Sequence, residues 1–181
     1  MKRVFLGIDL NEELKIKIEE FKIINQLDKL PVKLVESANS HIALKFLDKL
    51  NDEQIELIDN IINKSLEGSP SFLVKVDGLL FFPNLIKPQV IALKNISQPL
   101  EKLANKLMGQ LEKLPFVIKE KRRYTPHITL ARVKADLTKL EKEKLNNLKF
   151  SQEMLIEKLQ LFESQLSSSG PIYSILKEYS L

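Results

Sequence analysis

Two stretches of this 181-residue chain carry the same short pattern, nearly half its length apart: His41-Ile-Ala-Leu44 and His127-Ile-Thr-Leu130. They hold the only two histidines in the sequence. Alternation along a strand sets His41, Ala43 and Lys45 on one face and sends Ile42, Leu44 and Phe46 into a core on the other. The same parity groups His127 with Thr129 and buries Ile128 and Leu130. Each stretch is therefore expected to be a half-buried strand presenting an imidazole. A chain that repeats this device is expected to consist of two similar halves.

The remaining periodicity agrees. Arg3 to Asp9 reads as a buried strand, and Asn11 caps a helix with Leu14, Ile18 and Phe21 on one face. Pro31 to Val35 and His41 to Leu47 read as strands separated by the turn Glu36 to Ser40. Asp48 to Asp52 opens a helix bearing Ile55, Ile58 and Ile62. Ser71 to Phe82, with Gly78 as a bulge, forms a hairpin with Gln89 to Lys94 across the Pro83 to Pro88 loop. A helix over Ser97 to Lys113 stops at Pro115, and strands follow at Phe116 to Glu120 and His127 to Val133. A polar helix at Asp136 to Leu145 precedes strands at Met154 to Phe162 and Pro171 to Tyr179. This order implies an α+β fold with antiparallel sheets rather than a doubly wound parallel one.

Hydrophobic residues make up 44% of the chain, enough for a core. The absence of cysteine removes disulfides, thiolate metal sites and cysteine nucleophiles. Two histidines with no His-x-x-His or matching carboxylate spacing give no metal set, and no glycine-rich phosphate loop appears. Asp9 interrupts the first apolar run too early for a signal peptide, and no segment reaches the length of a membrane span. The expectation is a cytoplasmic monomer without metal or cofactor. The net charge of +4 suits a phosphate-bearing partner without requiring one.

A lone histidine after a turn is most often structural; two in one repeated context invite a chemical reading. Imidazoles titrate near neutral pH, so one can be neutral while the other is protonated. Opening a cyclic phosphodiester needs that division: water loses a proton as it attacks phosphorus, and the departing ribose oxygen gains one on the opposite side.

Tyr124-Thr-Pro-His-Ile-Thr-Leu-Ala-Arg132 and His41-Ile-Ala-Leu-Lys-Phe-Leu47 resemble the paired His-x-Thr/Ser-x signature of the RNA 2′,3′-cyclic phosphodiesterases. These enzymes, also called 2′-5′ RNA ligases, belong to the two-histidine phosphoesterase superfamily. Arg3-Val-Phe-Leu-Gly-Ile-Asp-Leu10, Phe81-Phe-Pro83, Leu161-Phe-Glu-Ser164 and Gly170-Pro-Ile-Tyr173 extend the likeness, in order, over almost the whole chain. The resemblance implies one bilobal domain over residues 1–181, pseudo-twofold, with helices on the outer faces and each lobe offering a motif to a central cleft. It implies RNA ending in a 2′,3′-cyclic phosphate as substrate, opened to a 2′-phosphate, and the reverse 2′-5′ ligation to an RNA 5′-hydroxyl. It assigns His41 as general acid and His127 as general base, and pseudo-symmetry leaves the swap open. Ala43 departs from the signature, so Thr129 keeps the one hydroxyl. That departure leaves an RNA-binding module of the same fold, or a phosphodiesterase for 2′-5′ oligonucleotides or small cyclic nucleotides, as alternatives.

Three of the four arginines, at 122, 123 and 132, flank the second histidine, and guanidinium forks suit phosphate. The family likeness gives Arg132 a phosphate contact, although strict parity turns it away from His127 unless a bulge re-aims it. Lys121, Arg122 and Arg123 form either an RNA-backbone patch at the cleft rim or a solvated turn. Lys45 shares a face with His41 and is a phosphate candidate. Tyr124 and Phe46 are candidates for base stacking, with parity favouring a core position for Phe46.

Overall fold

The computed structural model describes residues 1–168 and 170–181. Its strands are β1 (Lys2–Asp9), β2 (Val32–Leu34), β3 (His41–Leu50), β4 (Phe72–Phe82), β5 (Val90–Ile96), β6 (His127–Val133), β7 (Ser151–Ile156), β8 (Lys158–Leu166) and β9 (Pro171–Ser180). Its helices are α1 (Glu12–Ile24), α2 (Asp52–Leu66), α3 (Gln98–Leu111) and α4 (Lys139–Asn147). The helices begin where side chains satisfy free amides: Asn11 accepts from Leu14, and Ser97 accepts from Leu100. Asn51 with Gln54, and Thr138 with Glu141, close full capping boxes.

The strands join edge to edge in the order β7-β4-β5-β6-β3-β1-β8-β9, with β2 also bonded to β6. All the pairings are antiparallel, as expected. Two quartets meet at the single β3–β6 pair Ile42↔Ile128. A twofold through that pair exchanges β3 with β6, β1 with β5, β8 with β4 and β9 with β7. One residue separates β7 from β8, yet they lie toward opposite ends of the strand order, so the sheet curls back on itself. Ile42, Leu44, Ile128 and Leu130 are buried with Ile18 of α1, Ile58 and Ile62 of α2 and Leu100 and Leu107 of α3.

Three expectations need correction. The run read as one strand, Met154 to Phe162, is two: β7 pairs β4 while β8 pairs β1 and β9, with the break at Glu157. Strand β3 continues past Leu47 to Leu50 through an irregularity at Asp48, whose φ of 61° an aspartate tolerates. Phe116 to Glu120 is not a strand. Side chains anchor this segment: the Lys45 ammonium donates to the Ile118 carbonyl, and Glu112 accepts from the Glu120 amide. Gly78 is the bulge expected of it, with φ 74° at a register shift in β4.

No helix is long and apolar enough to cross a membrane among the described residues.

Candidate active site

The histidines stand on the face of the sheet opposite that buried core. Cross-strand register sets Asp9 beside His41 and Gly7 beside Ala43, with Ala92 beside Thr129 and Lys94 beside His127. One step either side of Ile42↔Ile128, antiparallel pairing brings His41 opposite Thr129 and Ala43 opposite His127. The sheet thus carries two rows, Asp9–His41–Thr129–Ala92 and Gly7–Ala43–His127–Lys94. The imidazoles are diagonal neighbours, roughly 7–8 Å apart at the backbone. Gly7 is required here: a Cβ would lie 2.9 Å from the Ile42 carbonyl oxygen.

Each ring is held alike. Nδ1 of His41 lies 2.8 Å from the Asn39 carbonyl, and Nδ1 of His127 lies 2.8 Å from the Thr125 carbonyl. A carbonyl only accepts, so both Nδ1 atoms carry the hydrogen and both Nε2 atoms are left for chemistry. The surroundings differ. His41 packs against Phe5 at 4.8 Å, Tyr173 edge-on at 5.1 Å and Phe162 at 6.3 Å, whereas His127 meets Phe82 at 4.7 Å. Burial lowers the His41 pKa from its ordinary 6.5, the positive charge of His127 adds to that, and the Asn39 carbonyl and Asp9 oppose it.

Bulges re-aim the second half of each motif. Gly7 pairs Ala43 while Leu6 pairs Lys45, leaving Leu44 as an extra residue; Ala92 pairs Thr129 while Ile91 pairs Ala131, leaving Leu130 extra. Beyond each bulge the parity inverts at the same position in both motifs. Arg132 therefore returns to the histidine face and is exposed. Its charge, with that of Arg3, acts on the Tyr173 hydroxyl and opposes the rise that burial imposes there.

The same inversion corrects two expectations. Phe46 is 68% exposed rather than in the core. Lys45 does not share a face with His41: it is buried on the helix side, 2.6 Å from Glu112 at the C-terminus of α3 and 2.7 Å from the Ile118 carbonyl. It also lines the cavity edge, and its ammonium holds the Glu112 carboxyl below the usual range.

Tyr124 donates to the Ala43 carbonyl and is largely enclosed, which raises its phenol pKa and withdraws its ring from stacking. Arg123 reaches to Glu101 on α3, 3.5 Å away, rather than into the rows. The sequence reading assigned no role to the wall formed by Phe5, Phe162 and Tyr173, or to the charges Asp9 and Lys94 beside the histidines. Only cross-strand register reveals them. Phe5 and Tyr173 also line a cavity of about 450 Å³, together with Arg3, Phe46, Ile118 and Ser164. Among the described residues no three histidine, aspartate or glutamate side chains converge as a metal set.

Fold and motif pair define a two-lobed protein with paired histidines on one sheet face, and comparison with known proteins places it. Residues 12–167 match the 2′-5′ RNA ligase superfamily, and the chain belongs to that family. An RNA 2′,3′-cyclic phosphodiesterase of Methanocaldococcus jannaschii is 32% identical over 180 residues, covering 98% of this chain and 99% of that one. Another, from Thermotoga maritima, is 33% identical over 181 residues, covering 97% and 94%. A crystal structure of a Thermus thermophilus protein superposes with a TM-score of 0.87 at 26% identity, covering 99% of this chain and 97% of that one.

Proposed function

We propose that this protein hydrolyses RNA 2′,3′-cyclic phosphate ends to 2′-phosphates, using His41 and His127 as an acid–base pair. The observation that carries the reading is the matched restraint of the two imidazoles: each Nδ1 is tied to the carbonyl two residues back, and neither Nε2 has a hydrogen-bond partner among the described residues. A phosphate between them meets the Thr129 hydroxyl in one row and, past the bulge, the Arg132 guanidinium. These donors hold the non-bridging oxygens as charge develops.

The cavity supports one direction of proton flow. It shares Phe5 and Tyr173 with the wall around His41, so the terminal nucleoside lies on the His41 side, with Phe46 exposed as a stacking surface. The departing O3′ belongs to that nucleoside and faces His41. Nε2 of His127 takes a proton from water, the water oxygen bonds to phosphorus, the P–O3′ bond breaks, and O3′ takes the proton of His41. A 5′-hydroxyl in place of the water gives the 2′-5′ linkage by the same path, its oxygen bonding to phosphorus as the P–O3′ bond breaks.

A second reading, RNA binding without turnover, follows from Ala43, which offers no hydroxyl opposite His127. One experiment separates the two: incubation with a cyclic-phosphate-ended oligonucleotide in EDTA, followed by ³¹P NMR. A 2′-phosphate end supports hydrolysis. Unchanged substrate, a 3′-phosphate end, or turnover that needs added metal contradicts it.

A further inference from the structure

The segment that leads into His127 has a charge that the fold does not ask for. Its counterpart under the pseudo-twofold, Glu36-Ser-Ala-Asn-Ser40 before His41, contains no cation. The stretch Lys119-Glu-Lys-Arg-Arg123 contains four, and residues 119–123 are all exposed.

The backbone of this segment is fixed at both ends. On one side the ion pair of buried Lys45 with half-buried Glu112 holds Ile118 and the Glu120 amide; on the other, Tyr124 is tied to Ala43 and the Pro126 carbonyl accepts from Asn95. The Glu120 carboxylate accepts from the amides of Lys121 and Arg122 and so is used within the loop. Of the four cations, Arg123 is drawn off to Glu101, and Lys119 acts on Glu112. Lys121 and Arg122 have no ion pair among the described residues.

Their position matters because Ile118 and Glu120 line the cavity beside His41. Ile118 is 71% exposed there, on the same cavity as exposed Phe46. On the β8–β9 side the lining among the described residues is Ser164, Leu166, Pro171 and Tyr173, with no formal charge. A terminal nucleoside in this cavity has its 2′ and 3′ oxygens committed to the phosphate between the histidines. Its one remaining link to the RNA is O5′, so the chain has to leave through the cavity mouth.

We infer that Lys121 and Arg122 form the exit track for the RNA chain, binding the phosphates on the 5′ side of the terminal nucleotide. This makes the protein selective for polynucleotide ends over free cyclic mononucleotides. The inference rests on the proposed hydrolysis and on the nucleoside occupying the cavity. Backbone phosphates are read by charge without regard to sequence, so the track contributes affinity and salt dependence but no base preference.

The test compares the intact protein with the Lys121→Glu/Arg122→Glu variant on two substrates, a 2′,3′-cyclic mononucleotide and a short oligonucleotide with the same end. Binding of the 2′-phosphate oligonucleotide, followed by fluorescence anisotropy, serves as a readout independent of turnover. Two phosphate contacts to a single strand contribute a salt slope of about −1.4, so raising salt from 50 to 200 mM costs the oligonucleotide about sevenfold more than the mononucleotide. The variant is expected to lose that difference, and at least tenfold in oligonucleotide kcat/KM and affinity, while its mononucleotide kinetics stay within twofold of wild type. Equal losses on both substrates, or unchanged oligonucleotide binding, overturn the track. A wild-type protein inactive on both substrates refutes the proposed hydrolysis instead, and anisotropy then decides the track alone.

Discussion

At the scale of single residues, the two histidines share a restraint but not an environment. Aromatic rings around His41 disfavour its charged form, yet the proposed role requires it to deliver a proton. An anionic phosphate between the imidazoles supplies the missing stabilisation, so the His41 pKa is expected below 6.5 in the free protein and higher with a 2′-nucleotide bound. NMR titration of the ring with and without the nucleotide reads both values; a free-protein midpoint above 6.5 contradicts the assignment. The linked stability follows in sign. The folded state binds this proton less readily than the unfolded chain, so His41 contributes stability above pH 6.5 and withdraws it as the pH falls toward the depressed value. The neighbouring asymmetry is Ala43 against Thr129. Thr129→Ala removes the one hydroxyl in the rows, and a hydrogen bond to a charged group is worth about 1.5–3 kcal/mol, so kcat/KM should fall roughly 10- to 150-fold. Ala43→Thr should lower KM by adding a donor opposite His127. Kinetics of both variants on one substrate check this; two neutral results would place the phosphate elsewhere.

At the scale of elements, the matched bulges at Leu44 and Leu130 decide which side chains reach the site. They exchange Lys45 for Phe46 on one strand and bring Arg132 round on the other. Neither bulged strand carries a glycine or proline at the bulge itself, so strict alternation read from the sequence misplaces Lys45 and Phe46 and leaves Arg132 unresolved. The helices were legible because their signals are local: the Asn11 cap, the apolar spacing of α1 and α2 and the stop at Pro115 after α3 each act within a few residues. The segment 116–120 was not, because what holds it is a side-chain ion pair contributed by β3 and α3. The break at Glu157 was hidden for a similar reason, since β7 and β8 separate only in their choice of partner strand. The Lys45–Glu112 pair thus shapes the cavity edge. Lys45→Met is expected to cost about 1–3 kcal/mol by leaving the Glu112 carboxylate short of a partner in a partly buried place. Hydrogen exchange should quicken at residues 118–122, measured by mass spectrometry beside a denaturant titration. Unchanged exchange there would mean that the segment does not depend on this pair.

At the scale of the molecule, two four-strand halves meet through one residue pair, and the twofold at Ile42↔Ile128 turns two copies of a motif into one site. The histidine pair and the α+β character were legible because duplication is visible as repeated residues. The cleft furniture was not: Phe5, Tyr173, Asp9 and Lys94 join the site through register between strands distant in sequence. Pseudo-symmetry supplies two equivalent imidazoles, and in the proposed mechanism the departures from it, the aromatic cavity beside His41 and the cations before His127, give the site a direction. The central claim is that both histidines move protons. The measurement that tests it most directly is single-turnover hydrolysis of a cyclic-phosphate-ended oligonucleotide by His41→Ala, His127→Ala and the double variant, each verified as folded by circular dichroism. Each single variant is predicted to lose roughly 10²- to 10⁴-fold, with the double variant little worse than the poorer single because the pair acts as a unit. Wild-type turnover in either folded single variant would contradict the account.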